Sequence, residues 1–294
     1  MGRRRRQRRS AVGRCQRSAE AMTVGFIGLG DQGAPMARAI ADKGFDLYVW
    51  ARRPDSYRAL DGSPHTVADS PADLAAHAEI IALCLRDDAD IWALLDDQGL
   101  LAALRPGTVV VNHGTGDPQE NQRLAEHVAT AGASFLDAPV SGGRPGAEAR
   151  MLTTFVGGDP VSYARLEPIA AGFSRTVRLL GPVGSGQTVK LINNALNFAN
   201  LKNATDAIAI AQALRIDLSV LGEVLATSTG NSASLQYALA MHNQPAPEHL
   251  GTLMRKDLEH FAEAVARNGV DVTSLYQRAR QGIDSALAAG QAHV

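Results

Sequence analysis

Cysteine is scarce in this chain, with two in 294 residues, aromatic residues make up only 5%, and no apolar run approaches the roughly 20 residues that cross a bilayer. Two cysteines exclude a disulfide framework. Neither has a His or Cys neighbour at ligand spacing and the eight histidines are scattered, so the sequence offers no metal site. His113 and His242 read as polar residues near a surface. Cys84, inside the apolar run Ile80-Ile81-Ala82-Leu83-Cys84-Leu85, reads as a small buried thiol. The N-terminus has no apolar segment of the secretory kind, and the expectation is a soluble, cytoplasmic protein with no membrane partner.

What is present is a hydrophobic fraction of 45%, enough to build a substantial core in one large or two ordinary domains. The net charge of −1 hides an asymmetry. Residues 1–21 carry Arg3, Arg4, Arg5, Arg6, Arg8, Arg9, Arg14 and Arg17 against Glu20, a surplus of seven positive charges that leaves eight net negative charges on the remainder. Such a block can bind nucleic acid or an anionic membrane through counterion release. It lacks interleaved aromatics and amphipathic period, so it reads as a disordered extension upstream of a true start at Met22. The acidic body argues against nucleic acid as a main partner.

From Thr23 to Leu180 short apolar runs alternate with helical patterns, which predicts βαβ units and a parallel sheet. The predicted strands are 23–29, 45–50, 80–85, 108–112, 134–137, 153–156 and 176–180. Helices are predicted over 34–43, 71–77, 87–95, 118–131 and 161–170. Beyond Gly186 the strand signal stops and helices are predicted over 187–213, 218–226, 234–241, 253–268 and 273–289. The expected fold is an α/β Rossmann domain with a parallel sheet over 22–183, then an all-α domain over 184–294, with Gly181–Gly186 as the hinge.

Gly28-Leu29-Gly30-Asp31-Gln32-Gly33 follows the first strand and opens a helix, the context a dinucleotide site requires. Gly28 permits the tight turn, Gly30 lets a pyrophosphate approach the backbone, and Gly33 allows close helix packing. The second strand ends Val49-Trp50-Ala51-Arg52-Arg53, without the acid that would accept a ribose 2′-hydroxyl. Two guanidinium groups favour a 2′-phosphate, so NADP is expected ahead of NAD. The alternative for Arg52 and Arg53 is a solvated basic loop.

The segment GPVGSGQTVKLINN sets Lys190 in an apolar helical run, with Asn194 four residues on along the same face. An amine and a carboxamide so placed can hold one oxygen between them, as a hydroxyl becoming a carbonyl requires. A solvated lysine is the alternative. Asp137-Ala138-Pro139-Val140-Ser141-Gly142-Gly143 also follows a strand, and its last three residues can present N–H groups and a hydroxyl to a small carboxylate.

GFIGLGDQGAPMA, DAPVSGG, GSGQTVKLINN and Lys256-Asp257-Leu258 together resemble the four blocks of the β-hydroxyacid dehydrogenase family, over essentially everything after Met22. The resemblance implies an NAD(P)-dependent oxidoreductase, commonly a homodimer or homotetramer joined through its helices. By matching positions it implies Lys190 as acid/base with Asn194 on the substrate hydroxyl, and Ser141, Gly142 and Gly143 on the carboxylate. Thr115 falls near the nicotinamide ribose, with Lys256 closing over nicotinamide and substrate and Asp257 beside it. An exposed helix pair is the alternative for Lys256-Asp257. The chain departs from the family pattern at Gly114, where serine is usual, and at Arg150, where glycine is usual. Gln32 replaces a usual methionine, and Leu235 lies where an aromatic is common. Arg150 is expected to alter the polar groups near the cleft, which suggests a larger or more acidic substrate than hydroxyisobutyrate. Related readings are aldehyde-acid reductases of the glyoxylate or succinic semialdehyde type and imine reductases, which generally lack the lysine. A different class would be a non-catalytic NADP-binding protein docking on nucleic acid through the arginine tail.

Overall fold

The computed structural model describes residues 22–242 and 248–291; the arginine-rich extension lies outside them. The strands are β1 (Thr23–Ile27), β2 (Asp46–Trp50), β3 (Thr66–Val67), β4 (Ile80–Leu83), β5 (Val109–Asn112), β6 (Ser134–Asp137), β7 (Val140–Ser141), β8 (Leu152–Gly157) and β9 (Ser174–Gly181). Helices α1 (Gly33–Asp42), α2 (Pro71–His77), α3 (Asp88–Leu95), α4 (Leu100–Ala103), α5 (Pro118–Ala129), α6 (Gly143–Glu148) and α7 (Pro160–Ala170) lie between them. The C-terminal helices are α8 (Ser185–Ala213), α9 (Leu218–Ala226), α10 (Ala233–Ala240), α11 (Glu248–Ala266) and α12 (Thr273–Gln291). This is the expected Rossmann-like α/β half followed by helices.

The strands pair in the order β3-β2-β1-β4-β5-β6-β8-β7, with β9 on β8. All pairings from β3 to β6 are parallel, whereas β8 runs antiparallel to β6 and β7. The sheet is buried on both faces, so its strands read as continuous apolar runs. Their side chains still alternate: Val24, Phe26, Ile80, Ala82, Val109 and Val111 pack toward α1 and α7, while Ile27, Ile81, Leu83 and Val110 pack toward α2, α3 and α5. A separate core joins Leu191, Ala195 and Phe198 of α8 to Leu258 and Phe261 of α11 and Ala279 and Ile283 of α12.

Six helices start at a side-chain cap: Ser70, Asp87, Asp117, Asp159, Asp217 and Ser232 each accept first-turn amides. The N-cap residues Gln32 of α1 and Gly184 of α8 make no such bond. These helices follow the glycine turn and carry Lys190, respectively.

Several elements differ from expectation. β1 stops at Ile27 because Gly28 turns the chain with φ +106. β3 and β7 are two residues long, too short for a periodicity to register. α6 forms on a Gly-Arg-Pro-Gly sequence because Pro145 sits in its first turn and Ala147 is anchored in the core. α11 begins at Glu248, ahead of the expected 253.

His113 is not a surface residue. It is 2% exposed, its Nδ1 lies 2.8 Å from the Ala138 carbonyl, its ring stands edge-on to Phe173, and Nε2 has no partner among the described residues. Burial lowers its pKa to about 4, against the Ala138 bond, which raises it. A histidine whose folded pKa is depressed contributes stability in full above the unfolded value of 6.5, and that stability is lost as pH falls toward 4. Asp137, raised to about 6 by burial, acts with the opposite sign over this range. The His113 contribution is therefore read as a difference: between pH 7 and pH 5 the wild type should lose about 2 kcal/mol of urea-unfolding free energy relative to His113→Phe. Equal pH slopes for the two proteins would contradict this.

Candidate active site

The glycine turn after β1 lies where the strand order reverses between β1 and β4, the crevice in which open parallel sheets bind ligands. A Cβ on Gly28 would stand 2.2 Å from the Cys84 carbonyl oxygen, and one on Gly33 would stand 1.9 Å from that of Gly28. Strand, turn and helix are thus in contact at both glycines. At Gly30 an added Cβ would meet nothing within 4 Å, so here the backbone faces open space. Leu29 beside it is 8% exposed, and the uncapped start of α1 at Gln32–Gly33 leaves amides and a positive dipole end for a phosphate. The residues present fit a dinucleotide pyrophosphate. Cys84 flanks the turn as an inert thiol, pushed up to about 12 by burial.

Arg52 and Arg53 are exposed at the end of β2. Arg52 Nη1 lies 3.3 Å from Asp90 Oδ1 on α3, and Arg53 precedes the 3₁₀ turn Pro54–Leu60.

On the other side of the crevice stands α8. Its first turn is capped from β6: Asp137 Oδ1 accepts from the Gly184 amide at 2.8 Å and Oδ2 from that of Gln187 at 2.7 Å. This fixes where Lys190 and Asn194 emerge. Both are buried, at 9% and 8% exposure. Asn194 Nδ2 donates to Asp257 Oδ2 at 2.8 Å, and Asn193 Nδ2 donates to Asn194 Oδ1 at 3.1 Å and to Ser141 Oγ at 3.4 Å. Burial pulls the Lys190 amine down to about 8, and the Asp257 carboxylate works against that. Burial raises Asp257 in turn, opposed by Lys256 and Lys190. Gly142 and Gly143 have φ +132 and +62, conformations suited to glycine, and open α6 next to Ser141.

Lys256, on α11, reaches across to the α/β half. Its Nζ donates to the carbonyls of Arg86 at 2.7 Å and Thr115 at 3.0 Å. The loop that carries Thr115 is further held by Asn112 Oδ1, which accepts from the Gly114 amide, and by Asp88 Oδ2, which accepts from that of Asp117. Gln187 also grips it, donating to the Gly114 carbonyl at 2.9 Å and accepting from the Gly116 amide at 3.0 Å. The structure therefore brings Lys190, Asn194, Ser141, Thr115, Lys256 and Asp257 into one connected region. Arg52 and Arg53 stand apart at the far end of β2. Sequence reasoning missed the cap by Asp137 and the grip by Gln187. Both residues sit inside the quoted motifs, but their partners are 47 to 73 residues away.

Two further expectations change. Arg150 does not add a guanidinium to the cleft: with φ +58 its side chain runs to Asp42 in the last turn of α1, at the opposite end from the glycine turn, and Nη2 lies 2.5 Å from Oδ2. Asp117, His260 and Glu263, scattered in sequence, bring possible ligand atoms within 4.8 Å of one another. Arg267 pairs with both carboxylates of that group, with two bonds to Asp117 and Nη2 at 3.7 Å from Glu263.

Residues 23–181 match the model of the NAD-binding domain of 6-phosphogluconate dehydrogenase, and residues 184–294 that of the NAD-binding region of NADP-dependent 3-hydroxyisobutyrate dehydrogenase. The chain belongs to the β-hydroxyacid dehydrogenase family. It is 33% identical to an NAD-dependent L-serine dehydrogenase of Pseudomonas aeruginosa, over 82% of this chain and 84% of that one. It is 34% identical to human mitochondrial 3-hydroxyisobutyrate dehydrogenase over 74% of this chain and 65% of the other. A structure of the Mycobacterium tuberculosis 3-hydroxyisobutyrate dehydrogenase with L-serine superposes with a TM-score of 0.79 at 25% identity, covering 91% and 94% of the two chains. As a member of this β-hydroxyacid dehydrogenase family, the protein is an NAD(P)-dependent oxidoreductase. No helix among the described residues is long and apolar enough to cross a membrane.

The family's usual serine at position 114 has no room here, because a Cβ on Gly114 would lie 2.5 Å from the Leu85 carbonyl oxygen. Gly114→Ser should cost about 2–3 kcal/mol, read as a lowered urea midpoint at unchanged slope. A midpoint equal to that of the wild type would show that the loops after β4 and β5 are not packed this closely.

Proposed function

We propose that the protein is an NADP-dependent dehydrogenase that interconverts a short 3-hydroxy acid and its aldehyde or keto acid, with Lys190 as the acid/base. The observation that carries this reading is the buried Lys190 amine, held near pKa 8 beside Asn194 and Asp257 at the junction of the two halves. The cofactor, when bound, supplies the hydride acceptor or donor. In oxidation a neutral Lys190 Nζ takes the hydroxyl proton while Asn194 orients that oxygen. In reduction the ammonium gives the proton back. Ser141 Oγ and the backbone of Gly142 and Gly143 hold the carboxylate, and Lys256 closes α11 over the site. The relatives that act on 3-hydroxyisobutyrate or L-serine support 2-substituted 3-hydroxypropanoates as the substrate class. With Arg150 tied to Asp42, that guanidinium does not call for a more acidic substrate.

The same reading divides the chain near residue 183, into a cofactor-binding and a helical substrate and assembly domain, and makes it a homo-oligomer. α9 buries none of its residues, α8 leaves Ile192, Leu196, Ile210 and Leu214 exposed, and Ile216, Val220 and Val224 are exposed beyond it. Large apolar side chains left uncovered on neighbouring helices are what a second copy of the chain would cover.

Turnover of small hydroxy acids, and of aldehyde acids with NADPH, tests the assignment. Oxidation should rise with pH and reduction should fall through an inflection near 8. Lys190→Ala should bind NADP normally and lose about 10²- to 10⁴-fold in kcat. Near-wild-type turnover by that variant would overturn the mechanism. Arg52 and Arg53 are assigned to the 2′-phosphate or to stacking on the adenine. Fluorescence titration should show tighter binding of NADPH than of NADH, with the preference reduced in the double variant Arg52→Ala/Arg53→Ala; tighter NADH binding by the wild type would refute NADP.

A further inference from the structure

Three consecutive residues of the loop after β5 have backbone groups taken by side chains of the helical half. Gln187 Nε2 donates to the Gly114 carbonyl at 2.9 Å, Lys256 Nζ to the Thr115 carbonyl at 3.0 Å, and the Gly116 amide donates to Gln187 Oε1 at 3.0 Å. Gln187 is fully buried. Its carboxamide bonds two backbone groups that flank Thr115, and its Nε2 donates further to Asn121 Oδ1 at 3.4 Å, so it fixes that residue from both sides. Its own amide is held by Asp137 at 2.7 Å, and it stands three residues before Lys190, less than one turn away on the same helix. The position of the loop is therefore set by the helix that carries the amine.

We infer that Gln187 is a positioning residue that registers the Thr115 loop, and with it the nicotinamide end of the cofactor, against Lys190. The inference rests on the placement of the nicotinamide in the proposed function, and it adds a source for the alignment of hydride and proton transfer. Binding through the first glycine turn and Arg52–Arg53 does not involve Gln187. Alignment of the reacting atoms does, and a displacement of about 1 Å there costs on the order of 10²-fold in rate. Leucine fills the same volume without either bond, leaving a buried amide and carbonyl whose search for new partners moves the loop.

The test compares the full-length wild type with Gln187→Leu and Gln187→Glu, the latter keeping an acceptor for the Gly116 amide but setting an oxygen against the Gly114 carbonyl. Affinity for 2′-phospho-ADP-ribose, which lacks the nicotinamide, should stay within about twofold, while affinity for NADPH falls about fivefold or more in both variants. With substrate, kcat should fall about 10- to 100-fold. The substrate KM should change little, and the isotope effect with NADPH deuterated at the transferred hydride should rise. In Gln187→Leu, which adds no charge beside Lys190, the pH inflection should stay where the wild type has it. Equal loss of both ligands would make Gln187 a fold scaffold only, and unchanged kcat with an unchanged isotope effect would remove the positioning role. If Gln187→Leu does not fold, Gln187→Glu carries the same comparison. Should the wild type turn over none of the candidate substrates, the activity assignment fails, and the two-ligand binding comparison still decides the role of Gln187.

Discussion

The cap that Asp137 places on α8 is the constraint on which the site depends. A carboxylate at the end of a central strand accepts the first amides of a 29-residue helix and is buried in doing so. Helix ends need partners for their free amides, and α8, starting at Gly184, has no side chain of its own to supply one. Borrowing the acceptor from β6 ties the C-terminal edge of the sheet to the helix that starts the second half. Close packing enforces the join, since a Cβ on Gly186 would lie 2.4 Å from the Phe155 carbonyl oxygen. From that fixed start, helical geometry alone projects Gln187, Lys190 and Asn194 toward the crevice.

Burial then does chemical work at Lys190. Desolvation disfavours the ammonium and the Asp257 carboxylate favours it, and the balance leaves the amine near 8, well below a free lysine. The same low-dielectric setting strengthens the hydrogen bonds that join Asp257, Asn194, Asn193 and Ser141. Lys256 and Gln187 tie the Thr115 loop of the α/β half to α11 and α8, the helices that carry Asp257, Asn194 and Lys190.

The fold was readable because its signals are local. Ile80–Leu83, Val109–Asn112 and Ser134–Asp137 read as buried strands from composition and length, and Pro71–His77 and Leu218–Ala226 fall at their expected ends. The glycine turn was readable because Gly28 and Gly33 each answer to a neighbour close in the chain or beside the adjoining strand, while Gly30 leaves its backbone open. What escaped depends on long-range partners or runs against local preference. His113 looks polar in sequence, yet the sheet encloses it against Phe173. Arg150 follows a motif that lines the cleft, but its backbone conformation turns it to Asp42. Asp137 and Gln187 appear in their motifs as unremarkable polar residues, and only the packing of β6 on α8 gives them a function.

The central claim is that the fold itself, before any ligand arrives, holds one lysine as a weakly basic amine between its halves. Nuclear magnetic resonance titration of the lysine side chains in selectively labelled protein, with the Lys190 signal assigned by its absence from Lys190→Ala, measures this directly. The account predicts an inflection near 8, moving lower when Asp257 is replaced by asparagine. An inflection near the free-lysine value of about 10.4 would place that amine in water and contradict it.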